Sequence, residues 1–196
     1  PNTTMNYYNN NAQAFAQATL SVNMSALYEP FIKHLPPQAR VLDAGCGAGR
    51  DAKAFAQMGF KVEAFDASEA MVGIAQQQGD FVVEHNTFLG FTRDYTFDGI
   101  WACASLLHVP AQELPATFRH LASLLADNGV FYVSFKYGEG ETQREGRHFT
   151  HCNEGLLPEF LHHTGLGIMN IWVTADKRPE RAEEQWLNAL LEKRHA

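Results

Sequence analysis

Short apolar runs alternate along this chain with stretches whose apolar positions recur every three or four residues, the pattern of strands interleaved with helices. Strands are predicted at 40–44, 61–65, 81–84, 99–103, 130–135 and 167–174. Leu114, Phe118, Leu121, Ala122 and Leu125 fall at i, i+4, i+7, i+8 and i+11, one apolar stripe of a helix. Ser68 is placed to cap a helix through 71–77 that Gly79 ends, and Asn153 to cap one that runs to Leu161 before Gly165. Residues 12–34 read as one or two helices closed by Pro36-Pro37. Asp127-Asn128-Gly129 reads as a turn ahead of a buried strand. The segment 186–191, Trp-Leu-Asn-Ala-Leu-Leu, leans toward helix on local propensity. No repeat and no low-complexity linker divides the chain, so the alternation implies one α/β domain of stacked βα units on a parallel sheet.

Composition narrows the class. The 196 residues are 45% hydrophobic and include 14 Phe, 6 Tyr and 3 Trp, enough for a sizeable core. With 15 Lys+Arg against 22 Asp+Glu the formal charge is -7, which gives no general attraction to nucleic acid or anionic lipid. No run approaches the roughly 18 apolar residues of a membrane span, and the polar, Asn-rich stretch 1–11 lacks a signal-peptide core. Cys46, Cys103 and Cys152 are an odd number at unrelated spacings, so a reducing, cytoplasmic setting is expected.

The chemistry concentrates in Asp43-Ala44-Gly45-Cys46-Gly47-Ala48-Gly49-Arg50, which joins the first predicted strand to a helix through three glycines. Such a loop at the carboxyl end of a parallel strand is where open α/β sheets bind ligands. Asp66, ending the next strand about 20 residues on, is placed to accept hydrogen bonds from both hydroxyls of a ribose; its other reading is a helix-capping acid. The pair points to a nucleoside-containing ligand. A dinucleotide fingerprint needs a small residue where this chain has Arg50, and Asp43 would repel a pyrophosphate but suit an ammonium. S-adenosylmethionine (SAM) carries an ammonium and a sulfonium and no phosphate, so its chemistry fits better.

The glycine loop, Asp66, Phe97-Asp98-Gly99-Ile100-Trp101-Ala102, Leu106-Leu107-His108-Val109 and the Asn128-Gly129 turn before 130–135 together resemble class I SAM-dependent methyltransferases. The flanks, 135–140 and the Trp186-Leu187-Asn188 tail, resemble small bacterial methyltransferases of the tellurite-resistance type. The resemblance implies a Rossmann-like domain with a mostly parallel seven-stranded sheet and helices on both faces. It makes 1–38 a helical lid and 39–196 the SAM-binding core. It also implies that 186–191 is an antiparallel strand beside the fifth, against its local propensity.

Carried over by position, Asp43 lies near the methionine amino group, and Gly45, Cys46, Gly47, Gly49 and Arg50 form the loop beneath the ligand. Asp66 holds the ribose, Ala67 and Met71 flank the adenine, and Asn86, Thr87 and Phe88 meet its edge. An acid is common in that last loop; here Glu84 comes early and Asn86 stands in. Cys103, Ala104 and Ser105 offer backbone carbonyls toward the methionine end. SAM would be the cofactor and S-adenosylhomocysteine the product.

His108, beyond the fourth strand, is the candidate base, with an ordinary pKa suited to the task; the alternative is a packing histidine. Tyr7 and Tyr8 in the lid, Tyr137 after the fifth strand, and Arg147, which with Arg144 and His148 would attract an anion, are candidates to face the acceptor. His148 and His151 lack a second ligand cluster at structural-zinc spacing, so no metal is expected. The motifs of DNA methyltransferases are absent, leaving a small molecule or an inorganic oxyanion such as tellurite as acceptor, on a monomer or homodimer. Two other readings stay open: a SAM- or S-adenosylhomocysteine-binding module without catalysis, and a nicotinamide-dependent oxidoreductase, against which Arg50 and Asp43 count.

Overall fold

The computed structural model describes residues 2–176, 178–181 and 183–194. Helices α1 (Thr3–Thr19) and α2 (Ser25–Ile32) precede β1 (Arg40–Ala44), α3 (Arg50–Gln57), β2 (Lys61–Asp66), α4 (Glu69–Ala75), β3 (Val82–His85) and β4 (Phe97–Ala102). Then come α5 (Leu114–Ser123), β5 (Leu125–Lys136), β6 (Glu141–Arg144), β7 (Arg147–Thr150), α6 (Leu157–Phe160), β8 (Leu166–Ala175) and β9 (Gln185–Lys193). Seven strands form one sheet in the order β3-β2-β1-β4-β5-β9-β8. The first four pairings in that order are parallel, and β9 is antiparallel to both of its neighbours.

Alternating side chains feed two cores. Leu42, Ala44, Ile100, Ala102, Phe131, Val133, Leu187 and Ala189 point to the face covered by α5 and α6. Val41, Trp101, Val130, Tyr132 and Leu190 point to the opposite face, against Leu27, Tyr28 and Phe31 of α2 and Phe55 of α3. Of the residues expected to form a lid, α2 is therefore built into the core, with Phe31 fully buried, whereas α1 lies over α4 through Ala12, Ala16 and Met71.

Segment 186–191 is the antiparallel strand beside β5 that the resemblance implies, against its local helix propensity: Tyr132 pairs with Leu190 and Phe135 with Leu187, and both faces of 187–191 are buried. Asp127-Asn128-Gly129 does not separate two elements but bulges out of β5, whose Leu125 pairs with Phe97 while Val130 already pairs with Gly99. His162 and His163 lie in the turns after α6, their rings 3.9 Å apart, with His163 at φ 58. The capping reading holds at Ser68, whose hydroxyl accepts from the Met71 N–H at 3.2 Å. Asn153 accepts from the Gly155 and Leu156 amides at 3.0 Å, ahead of a helix of four residues.

A candidate cofactor and acceptor cavity

At the carboxyl ends of β1, β2, β4 and β5 the chain encloses a cavity of about 700 Å3, at the switch point where open α/β sheets bind ligands. Its floor is the glycine loop. The N–H groups of Gly45 and Cys46 both donate to the Phe65 carbonyl, at 3.0 and 2.9 Å, tying the end of β1 to the end of β2. Gly45 turns at φ +76, and a Cβ there would sit 2.5 Å from the Ser105 Cβ; Gly49 turns at φ +90, with the Ala75 backbone 3.1 Å from where its Cβ would be. L-residues resist that backbone region at both positions; at Gly45 the space is also taken, and at Gly49 a side chain would press on the Ala75 backbone.

Three carboxylates have distinct surroundings. Asp66 accepts the Ser68 N–H at Oδ1 and the Gly47 N–H at Oδ2, each at 2.9 Å. Burial still pushes its pKa up, against those amide bonds. Asp51 is the hub of a buried cluster: Arg50 forks onto both oxygens at 2.8 and 3.2 Å, Trp101 Nε1 donates at 2.8 Å, and the Tyr28 hydroxyl donates as well. Burial alone would raise Asp51, but the Arg50 charge and these donors outweigh it and hold the carboxyl below its usual range. Asp43 is different. It is 2% exposed, and its Oδ2 has no hydrogen-bond partner. Burial, with repulsion from Asp51, pushes its pKa well up, so a cation brought to that oxygen would meet an unsatisfied acceptor.

The other expected cofactor residues, Cys46, Ala67, Met71, Asn86, Thr87, Phe88, Cys103, Ala104 and Ser105, also line the cavity. The Ser105 hydroxyl donates to the Ala44 carbonyl at 2.8 Å and locks the loop after β4 to the end of β1. Ala104 is held at φ 50, its N–H donating to Ser134 Oγ at 2.8 Å, a strained conformation of the kind that gathers at functional sites. Asn86 donates to Glu84 at 2.9 Å and accepts from the Thr87 N–H at 2.8 Å. Burial pushes the Cys103 thiol up to about 12 and raises Cys46 well above its ordinary value, so both stay protonated.

At the other end, α1 and the β6–β7 hairpin close over the cavity. His108 Nδ1 donates to the His148 carbonyl at 2.8 Å, which fixes the tautomer and leaves Nε2 to accept from the Tyr8 hydroxyl, also at 2.8 Å. Burial lowers His108 to about 4, with Arg147 adding repulsion. Arg147 is 6% exposed, lies 4.2 Å over the Tyr7 ring and reaches Tyr8 and Glu145 only at 3.5 Å, and its Nε has no partner. Four expected residues, Tyr7, Tyr8, His108 and Arg147, thus meet at one place. Tyr137 does not join them; its ring is 38% exposed and its hydroxyl donates to Glu154 at 2.5 Å.

Sequence reasoning missed Asp51, the β6–β7 hairpin and Lys136. Asp51 directly follows Arg50, which was the available signal. Among the described residues no helix is long and apolar enough to cross a membrane.

Comparison with known proteins bears on this geometry. Residues 14–164 match the family model described as a methyltransferase domain. Over 105 residues the chain is 34% identical to a ubiquinone biosynthesis O-methyltransferase of Xanthomonas campestris pv. campestris, covering 50% of this chain and 43% of that protein. Over 96 residues it is 38% identical to a magnesium-protoporphyrin O-methyltransferase of Synechocystis sp., covering 45% and 41%. The chain therefore aligns with less than half the length of these curated relatives. The fold matches that of the Burkholderia thailandensis 1,6-didemethyltoxoflavin-N1-methyltransferase, solved with 1,6-didemethyltoxoflavin and S-adenosylhomocysteine bound. The TM-score is 0.81 at 20% identity, over 98% of this chain and 88% of that one.

Proposed function

Because the chain belongs to the methyltransferase domain family, we propose that it is a SAM-dependent methyltransferase acting on a small-molecule acceptor. The observation that carries this reading is Asp43 Oδ2, a buried carboxylate oxygen without a partner at the edge of a cradle that admits no side chain at Gly45. Its demand for a cation fits an amino-acid ammonium and opposes a pyrophosphate, which disfavours the nicotinamide alternative.

SAM, when bound, supplies a methyl group already activated by its sulfonium. What remains for the protein is to bind, orient and exclude water. Asp43 would hold the ammonium, and Arg50, fixed by Asp51, would present its charge to the carboxylate of the same ligand. Asp66, its two oxygens already aligned by the Ser68 and Gly47 amides, would accept the ribose hydroxyls, Ala67 and Met71 would flank the adenine, and Phe88 would meet its edge. Tyr8 and the hairpin would cover the acceptor end and keep bulk water out. The relatives, O-methyltransferases of ubiquinone biosynthesis and of magnesium-protoporphyrin, support an oxygen acceptor on an organic molecule. The narrower tellurite-type reading has no such support.

The test is calorimetric titration of the wild type and Asp66→Ala with S-adenosylhomocysteine. We expect wild-type binding, and a loss of at least about 1–2 kcal/mol in the variant, the worth of hydrogen bonds to a charged group. Absence of wild-type binding up to about 1 mM, weaker than ordinary cofactor affinities, removes the reading. A response to NAD instead would favour the oxidoreductase.

A further inference from the structure

We infer that the acceptor bears a carboxylate, held in its ionised form by Arg147; the inference rests on the methyltransferase reading and names its substrate class. Arg147 lines the cavity with its side chain buried, yet its charge is poorly matched. Its Nε has no partner. Glu145, its nearest carboxylate, is 3.5 Å away and itself exposed on the hairpin turn. The flat faces of the guanidinium are used, over Tyr7 at 4.2 Å and near Phe149 at 5.1 Å. In the guanidinium plane Nη1 reaches the Tyr8 hydroxyl and Nη2 reaches Glu145, each only at 3.5 Å, and Nε has no partner, so the bonds in the plane that meets a carboxylate two-pronged are long or unmade.

A second cation lies nearby. Lys136 Nζ sits 4.5 Å over the same Phe149 ring and lines the same cavity. Its carboxylate partner, Glu184, is 3.8 Å away. Two under-neutralised cations flanking one aromatic ring, in a cavity also walled by Met24, Leu27 and Leu107, suit an acid carried on an apolar body.

The neighbouring imidazole argues the same way. His108 Nε2 is occupied by the Tyr8 hydroxyl and Nδ1 is spent on the His148 carbonyl, so neither nitrogen is free to take a proton from the acceptor. A carboxylate needs none removed: its oxygen lone pair forms the new O–CH3 bond as the S–CH3 bond breaks, and the sulfonium leaves as a neutral thioether. Charge balances without a base.

Benzoate and its uncharged isostere benzamide test this in protein saturated with S-adenosylhomocysteine, by ligand-observed NMR titration. We expect saturable benzoate binding, benzamide weaker by about tenfold or more, and a similar loss of benzoate affinity in Arg147→Gln, as for one lost charge-assisted pair. Arg147→Lys should recover part of it. S-adenosylhomocysteine affinity should be unchanged in both variants, which reports that they fold. Equal binding of benzoate and benzamide overturns the proposal. So does an unchanged benzoate affinity in Arg147→Gln, or no benzoate binding by wild type at about 20 mM, weaker than any specific fragment site. If the wild type fails to bind S-adenosylhomocysteine, the cofactor reading falls; benzoate titration of the unliganded protein still reads the Arg147 subsite by itself.

Discussion

Asp43 and Asp51 are both buried within reach of Arg50, and only Asp51 is bonded to it. Arg50 forks onto Asp51 at 2.8 and 3.2 Å, while Asp43 keeps an oxygen with no partner. Two like charges eight positions apart thus acquire opposite tendencies, one held ionised and one pushed toward its neutral form.

A proton should therefore leave Asp43 when a cationic ligand arrives. With S-adenosylhomocysteine, the binding enthalpy at acidic pH is expected to vary with the ionisation enthalpy of the buffer in the wild type. In Asp43→Asn that dependence should shrink, leaving only the contribution of Asp66, which burial also raises. Because the free carboxyl's pKa is raised, affinity should climb with pH until that group is ionised without help, then level off. A buffer-independent enthalpy in the wild type would count against the assignment.

Replacing Asp51 by Asn leaves Arg50 buried without its counter-charge. Removing one partner of a buried ion pair costs about 3–5 kcal/mol, to be read from the denaturant midpoint. Tyr28→Phe, which removes one neutral donor and nothing else, should cost less, about 1–3 kcal/mol.

Gly45 and Gly59 separate strain from collision. Both have positive φ, at +76 and +95, but an added Cβ meets Ser105 at the first and nothing within 4 Å at the second. Gly59→Ala should cost about 1–2 kcal/mol, the left-handed penalty alone. Gly45→Ala should cost about 2–4 kcal/mol, since overpacking adds to it. Equal midpoints for the two variants would show that the Ser105 contact yields freely.

His108 sets an acid limit on the roof. Its folded pKa, about 4, lies below the ordinary 6.5, mainly through burial. As pH falls from 6.5 toward 4 the unfolded chain takes up a proton that the native state refuses, so stability drops over that window. The drop amounts to at most about 3 kcal/mol. A stability profile that is shallower between pH 6.5 and 4 in His108→Gln than in wild type is the expected sign. In an NMR titration the wild-type ring should stay neutral at pH 5, and Tyr8→Phe, which frees Nε2, should raise its pKa.

The glycine loop, the parallel strands and the strand-end residues that line the cavity were legible because each depends on local chemistry: turn geometry, alternation, a carboxylate at a strand end. The last strand was not legible from its own residues. Flanked by β5 and β8 and buried on both faces over 187–191, it shows no polar alternation, and its Leu and Ala content suits a helix equally well; only the family resemblance placed it. The β6–β7 hairpin failed for the opposite reason, since all four residues of β6 are exposed and no apolar face marks the strand. Asp127-Asn128-Gly129 has turn chemistry, but β4 holds both sides of it and the turn became a bulge. Asp51 carries no mark in the sequence beyond its place after Arg50, because Tyr28 and Trp101 reach it only in three dimensions.

The roof is tied by Tyr8 to His108, Tyr8 to Arg147 and Thr4 to His148, pairs 100, 139 and 144 residues apart. During synthesis α1 emerges well before any of these partners exists, so it must wait while the sheet is assembled. Closing such long loops is entropically costly and slow. The sheet and its glycine cradle should accordingly mature with the cavity still open, and a nascent chain should be able to capture its nucleoside ligand before its first helix docks.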